Sequence, residues 1–363
     1  MPAEVEAVSF RSGDLDLYGR LRHRSEEAPA VVLLSGLGFH TFEYEPLATE
    51  LAARGLNALS FDYRGHGRSG GPRGRWTLDE LVADSRHAID FVQARGSGPI
   101  MLFGNSLGAM IAIMAGAHDD RVLTVAAASC PARIGDFLLT WPRRALFAVA
   151  KLIGPLAPLR VSVDHFYAYE QLIDDPAWIS TIRRDRLIAD ARRLSVPAFR
   201  ALLEIWNGPG AVRELHKPLL VIQGRNDHLQ PPRQSDLLFV AANDPKDHKL
   251  VDTGHLPISR PPRCSPVADR VAVGDQPVAM MNSRRCADRT APRRAAGMAA
   301  QAGRAAACAP LLDPARHRQR RADPAPYPGR GSPAPGAGFK PEPREPYAPG
   351  RAPALAGCPS WRS

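Results

Sequence analysis

The sequence predicts an α/β fold: a mostly parallel sheet flanked by helices, with an inserted helical cap and a disordered C-terminal tail. Three observations predict it. Short apolar runs alternate with glycine-rich loops and stretches of helical spacing, the pattern of parallel strands joined by crossover helices. Gly104-Asn105-Ser106-Leu107-Gly108 fits G-x-S-x-G between an apolar run and a second apolar stretch, the strand–turn–helix setting of a nucleophile elbow. The alternation breaks between residues 131 and 214, and the composition breaks again after Leu256.

Residues 5–10 and 15–21 alternate apolar and polar side chains around Arg11-Ser12-Gly13-Asp14 and read as a β-hairpin. Residues 30–34 are apolar throughout and end at Ser35-Gly36-Leu37-Gly38, as a strand covered on both faces requires. Residues 44–54 read as a helix stopped by Gly55. Residues 57–61 form the next strand and run into Asp62-Tyr63-Arg64-Gly65-His66-Gly67-Arg68-Ser69. Thr77 and Glu80 make a capping box, and Leu78, Leu81, Val82, Ser85, Ile89 and Val92 follow close to helical spacing. Residues 100–103 lead into Ser106 and its helix, and residues 123–128 form another strand.

The stretch 131–214 holds helix-like pieces divided by Gly154-Pro155, Pro158, Pro176 and Pro197, and three of the five tryptophans, Trp141, Trp178 and Trp206. It reads as a helical cap over the site. The sheet resumes at 218–222, followed by Gly224-Arg225-Asn226-Asp227, a helix near 233–242 and a strand at 249–251 that runs into Asp252-Thr253-Gly254-His255. The expected division is therefore 1–130 and 215–261 for the core, 131–214 for the cap and 262–363 for the tail.

The formal net charge of +10 belongs to the tail. Residues 256–363 hold 18 of the 47 basic but only 7 of the 37 acidic side chains, together with 19 of the 35 prolines and four of the five cysteines. Such a composition cannot bury enough apolar area to offset ordering costs of roughly 1–2 kcal/mol per residue, so 262–363 is expected to be disordered. An out-of-frame reading of a GC-rich gene would produce the same abrupt change. Arg284-Arg285, Arg293-Arg294 and the arginines at 318–321 offer phosphate contacts, yet aromatic residues are sparse there. A solvated tail with no specific nucleic-acid partner is the expectation.

Cys130 is the one cysteine upstream, so no disulfide framework is available there, which fits a cytoplasmic location. The first ten residues do not resemble a secretory signal, and no run of about 18 apolar residues suggests a membrane span. No metal-ligand spacing and no dinucleotide fingerprint occurs, so neither metal nor cofactor is expected. Oligomeric state is left open.

A serine hydroxyl is a poor nucleophile until a base takes its proton, and the base needs an acid to fix its tautomer. On a doubly wound sheet such groups gather at the carboxyl ends of strands. Ser106, Asp227 and His255 each follow an expected strand. The elbow turn strains Ser106 and lifts its hydroxyl clear, with small residues at 104 and 108 for close approach and a helix N-terminus aimed at the site. Asp227 also reads as an ordinary turn residue, and Asp252 is its nearest rival. His216, His228 and His248 are weaker rivals of His255, since none follows a strand end through a glycine.

Over residues 5–256 the chain resembles the α/β-hydrolase superfamily, and within it the serine hydrolase branch of monoacylglycerol lipases and lysophospholipases. The matching residues are Gly36-Leu37-Gly38, the Asp62–Ser69 loop, Gly71-Pro72-Arg73-Gly74, Gly104–Gly108, Gly224–Asp227 and Gly254-His255. The resemblance implies Ser106 as nucleophile, His255 as general base and Asp227 as orienting acid, in the expected chain order. It also implies an oxyanion hole from the main-chain N–H groups of Leu37 and Leu107. Two departures stand out. Ser35 replaces a histidine common in relatives, and Pro257, Pro261 and Pro262 stand where relatives continue into a final amphipathic helix.

The expected activity is cleavage of a small-molecule carboxylic ester with an apolar acyl group, through an acyl-enzyme. Phe137, Leu138, Trp141, Phe147 and Trp206 are the candidate pocket residues, and the same side chains would equally serve as the cap's own core. Thioester hydrolysis or acyl transfer would use the same triad. A reading from another class is an inactive remnant whose basic tail binds polyanions.

Overall fold

The apolar runs become the buried strands of one eight-stranded sheet. The computed structural model describes residues 4–96, 98–153, 159–173 and 175–257. The tail expected at 262–363, with its arginine clusters, lies outside the described residues. β1 (Val5–Ser12) and β2 (Leu15–Arg22) pair antiparallel up to Ser12 opposite Leu15. Only Gly13 and Asp14 remain for the turn, with Gly13 at φ 60°.

β3 (Ala30–Leu34) and β4 (Asn57–Phe61) are buried at every position. A 3-10 turn (Thr41–Tyr44) and α1 (Glu45–Ala53) join them. α2 (Leu78–Gln93) starts at the expected capping box: the Glu80 N–H donates to Thr77 Oγ1 at 3.2 Å, and the Thr77 N–H to Glu80 Oε2 at 2.8 Å. β5 (Ile100–Asn105), α3 (Leu107–Ala117) and β6 (Val122–Ala128) follow.

Between β6 and β9 come α4 (Gly135–Leu138), α5 (Trp141–Ile153), β7 (Arg160–Ser162), α6 (Pro176–Arg184), α7 (Arg186–Ala191), β8 (Arg193–Ser195), α8 (Val196–Arg200) and α9 (Gly208–Glu214). The insertion is helical, as expected, but β7 and β8 pair antiparallel within it. Three-residue strands are too short to show an alternating pattern, which is why the sequence hides them. α9 packs against α3 and α10, on the flank of the sheet. The chain closes with β9 (Leu219–Gly224), α10 (Arg233–Ala241) and β10 (Lys246–Val251).

The strand order is β1-β2-β4-β3-β5-β6-β9-β10, parallel from β4 to β10. The chain steps from β3 to β4 in one direction and then returns to place β5 on the other side of β3. That reversal opens a crevice at the carboxyl ends of β3 and β5. Period two sorts the strand side chains between two cores. Val32, Leu34 and Leu102 pack under α2 and α3, whereas Val31, Leu33 and Phe103 pack with Tyr44, Leu47 and Leu51 of the turn and α1. A third cluster joins Phe39 to Leu172, Ile173, Ile179, Ile182, Ile188 and Leu256.

Candidate active site

Ser106 stands between β5 and α3 with φ 54° and ψ −114°, in the left-handed region that costs a non-glycine residue about 1–3 kcal/mol. Its neighbours leave no alternative. The Ser106 N–H donates to the Ala128 carbonyl at 2.9 Å, while Ala109 and Met110 N–H groups donate to the Ser106 carbonyl at 3.1 and 3.2 Å. A Cβ on Gly104 would run into the Gly108 carbonyl, and one on Gly108 into the Leu34 carbonyl. The two glycines are therefore demanded by strand–helix contact, and the strained serine is fixed between them.

Asp227 lies just past β9. Its Oδ1 accepts the N–H groups of Leu229 and Gln230 at 3.0 and 2.8 Å, and its Oδ2 accepts Gln223 Nε2 at 3.0 Å. His255 Nδ1 lies 2.8 Å from the same Oδ2, with both side chains buried. Burial opposes the charged form, but the charge and hydrogen bond of His255, with the Gln230 and Gln223 bonds, hold the carboxyl below its ordinary range. A carboxylate so placed keeps the ring proton on Nδ1 and turns Nε2 outward as an acceptor. His255 Nε2 is buried with no hydrogen-bond partner among the described residues.

Main-chain contacts bring these two loops together. The Arg225 N–H donates to the Val251 carbonyl at 2.8 Å and the Asn226 N–H to the Thr253 carbonyl at 3.0 Å. Gly224 sits against the Thr253 and Gly254 carbonyls with no room for a Cβ. Beyond His255, the Leu256 N–H donates to the Leu172 carbonyl at 3.2 Å, and its side chain is buried in the third cluster. Burying a leucine contributes about 2 kcal/mol, so the insertion between β6 and β9 itself anchors the histidine loop.

The rivals lie elsewhere. Asp252 is 81% exposed on its side chain and pairs with Arg225 at 3.1 Å. His248 stacks on Phe239, His216 lies against Asn243, and neither these nor His228 lines the cavity described next.

Ser106, Leu107, Leu37 and His255 open onto one apolar cavity. Its walls include Met110, Ile134, Phe137, Leu138, Val163, Tyr167, Phe199, Leu202, Leu203 and Leu229. No hydrogen bond joins Ser106 to His255 among the described residues. Nor does any described acceptor take the main-chain N–H groups of Leu37 or Leu107.

Of the five expected pocket residues, Phe137 and Leu138 line the cavity and three do not. Trp141 is 81% exposed. It stands six residues before the buried Phe147, about 120° round α5. Phe147 packs edge-on against Phe199, with centroids 5.4 Å apart, one layer behind the wall. Trp206 is buried because its Nε1–H finds the Pro131 carbonyl at 2.7 Å. Val163, Tyr167, Phe199, Leu202 and Leu203 were not singled out, nor were Gln223 and Gln230. Their positions depend on how the inserted pieces fold back, which no local pattern of residues reports.

Among the described residues no helix is long and apolar enough to cross a membrane, and no cluster of three His, Cys, Asp or Glu side chains is placed to hold a metal.

Residues 25–255 match the family described as serine aminopeptidase, S33. The monoacylglycerol lipase of Mycolicibacterium smegmatis is 32% identical over 219 residues, 59% of this chain and 76% of that protein. A polyketide transferase of Stachybotrys chlorohalonatus is 28% identical over 274 residues, 69% of this chain and 90% of the other. The solved monoacylglycerol lipase of Paleococcus ferrophilus shares the fold at a TM-score of 0.53 and 24% identity, over 69% of this chain and 90% of that one. With the strand order, the elbow and this match across most of its length, the chain belongs to the serine aminopeptidase S33 family, as an α/β-hydrolase resembling monoacylglycerol lipases.

Proposed function

We propose that the protein cleaves carboxylic esters with an apolar acyl group. Ser106 is the nucleophile, His255 the general base and Asp227 the acid that orients it. The observation that carries the reading is the buried Asp227–His255 pair, whose unbonded Nε2 belongs to a residue lining the same apolar cavity as Ser106. In this reading His255 Nε2 takes the Ser106 proton as Oγ attacks the acyl carbonyl. The negative charge that forms on the carbonyl oxygen falls to the N–H groups of Leu37 and Leu107. His255 then protonates the departing alcohol, and water releases the acyl group by the same route.

The acyl chain lies along Phe137, Leu138 and Leu202, which offer contact area but no hydrogen-bonding groups. A monoacylglycerol is the first substrate to try, because the Mycolicibacterium relative is named for it. Cytoplasmic residence belongs to the same proposal, on the single upstream cysteine, Cys130, which is buried and free. A fluorophosphonate is expected to label Ser106, and Ser106→Ala to abolish both labelling and ester cleavage. Labelling of another serine in a still active Ser106→Ala protein refutes the assignment. Acyl transfer is the second reading, favoured by the likeness to a polyketide transferase. Adding alcohol or thiol acceptors to the assay separates the two by the product formed.

A further inference from the structure

Behind the loop that carries Leu37 lies a carboxyl group that those steps do not use. Glu43 is 1% exposed, although Phe42 beside it reaches solvent. Its Oε2 accepts the Gly36 N–H at 3.1 Å. Its Oε1 is buried without a hydrogen bond. Ser35 and Asn105 follow Leu33 and Phe103 by two residues and so share their sheet face, the one packed by Tyr44. The Ser35 hydroxyl and the Asn105 amide are also buried and unbonded. Among the described residues no cation pairs with Glu43. A carboxylate with one main-chain donor and no counter-ion is costly to bury charged.

We propose that Glu43 is a positioning residue of the oxyanion hole: as a neutral acid it anchors the Gly36 N–H and thereby aims the adjoining Leu37 N–H into the cavity. The proposal rests on the ester-cleavage reading above. A neutral acceptor holds the loop without a field opposing the oxyanion. An ionised Glu43 sets a negative charge beside the donors that must stabilise another negative charge, where little water screens them.

Burial, opposed only by the Gly36 bond, pushes the Glu43 carboxyl up to about 8. The acids facing it are the Tyr44 phenol on its own turn and the Tyr63 phenol beyond β4, both raised by burial and further by Glu43 itself. His40 begins the turn and is held by Asp185 at 2.8 Å. Asp62 accepts the N–H groups of Thr41 and Arg68. The Cys130 thiol is also raised by burial. Burial raises the Asp62 carboxyl as well, against the charge of His40 and the Arg68 and Thr41 N–H bonds, so it is the Glu43→Gln profile that assigns an alkaline fall to Glu43.

A histidine base by itself gives activity that climbs to an alkaline plateau. With Glu43 present, kcat/KM for an alkyl ester, corrected for spontaneous hydrolysis, is expected to fall about tenfold per pH unit above about 8. Glu43→Gln keeps an oxygen for the Gly36 N–H but cannot ionise, so its profile keeps the plateau. Glu43→Ala loses the anchor, and kcat is expected to drop about tenfold or more with KM within about twofold.

Stability supplies an independent reading. An acid raised by folding contributes fully below the ordinary glutamate range, and that contribution is lost as pH rises to about 8. Wild-type Tm should fall across that window relative to Glu43→Gln. A wild-type enzyme that cleaves esters through Ser106 but shows no alkaline fall, or one that Glu43→Gln retains, overturns the role of Glu43 and leaves the hydrolase reading intact. Protein that cleaves no ester and takes no phosphonate at Ser106 overturns both.

Discussion

The carboxyl end of the sheet and the insertion between β6 and β9 meet at one cavity, yet they are built by different means. At the sheet end, main chain touches main chain: Gly104 on the Gly108 carbonyl, Gly108 on Leu34, Gly224 on Gly254. No side chain larger than hydrogen fits, so residue type and position are tied together. In the insertion the cavity wall is set by side chains, although the Arg193 carbonyl there leaves no room for a Cβ on Gly74. Phe199 meets both Phe147 and Phe166, and Leu256 reaches back into a cluster of Leu172 and four isoleucines of the insertion. Such packing accepts several solutions, and a residue's type says little about which wall it forms.

Variants measure that difference. The largest effect is expected for Ser106→Ala, on the order of 10⁵-fold or more in kcat by analogy with other triads. Substantial turnover by this variant would move the chemistry off the sheet end. Asp227→Asn is expected to lose about 10⁴-fold, because the amide favours the wrong imidazole tautomer. Asp252→Asn, on an exposed side chain, should stay within about twofold. The opposite ranking would assign the acid to Asp252.

Two glycines sharpen the comparison through stability. Gly108→Ala drives a Cβ into the Leu34 and Ser35 carbonyls and is expected to cost about 3 kcal/mol or more in urea unfolding. In the insertion a Cβ on Gly135 meets only the Leu203 carbonyl at 3.6 Å, so Gly135→Ala should stay within about 0.5 kcal/mol. Equal costs at the two sites would erase the distinction between backbone-built and side-chain-built regions.

The smallest effects concern the wall. Phe137→Ala is expected to change the ratio of long-chain to acetyl ester kcat/KM by about tenfold. Trp141→Ala, at the exposed end of α5, should change that ratio by less than about twofold. A larger change at Trp141 would put acyl selection on the outer surface of the cap.

Legibility followed the same division. The strands at 30–34 and 57–61, the Thr77–Glu80 capping box and the elbow at 104–108 were readable because each rests on neighbours in the chain. Trp141, Phe147 and Trp206 were read as pocket residues from apolar character alone. That character did not tell which side of a helix would face the cavity, or that Pro131 would claim the Trp206 N–H.

Local pattern was enough to give the chain order of the large sheet's strands and the helices between them, the strained turn at Ser106 and the positions of Asp227 and His255 at strand ends, but not β7 and β8. These follow from local backbone sterics and from periods of two and 3.6 residues. That Asp227 and His255 stand 2.8 Å apart, that Gln223 and Gln230 hold the carboxylate, and that Leu256 is pinned by Leu172 follow from how distant parts of the chain meet. Folding also brings Glu43, flanked by Phe42 and Tyr44 in the sequence, beneath the loop that carries Leu37. The reason is physical. A hydrogen bond between residues far apart in the chain depends on where two strands end in space, and no local pattern of side chains carries that distance.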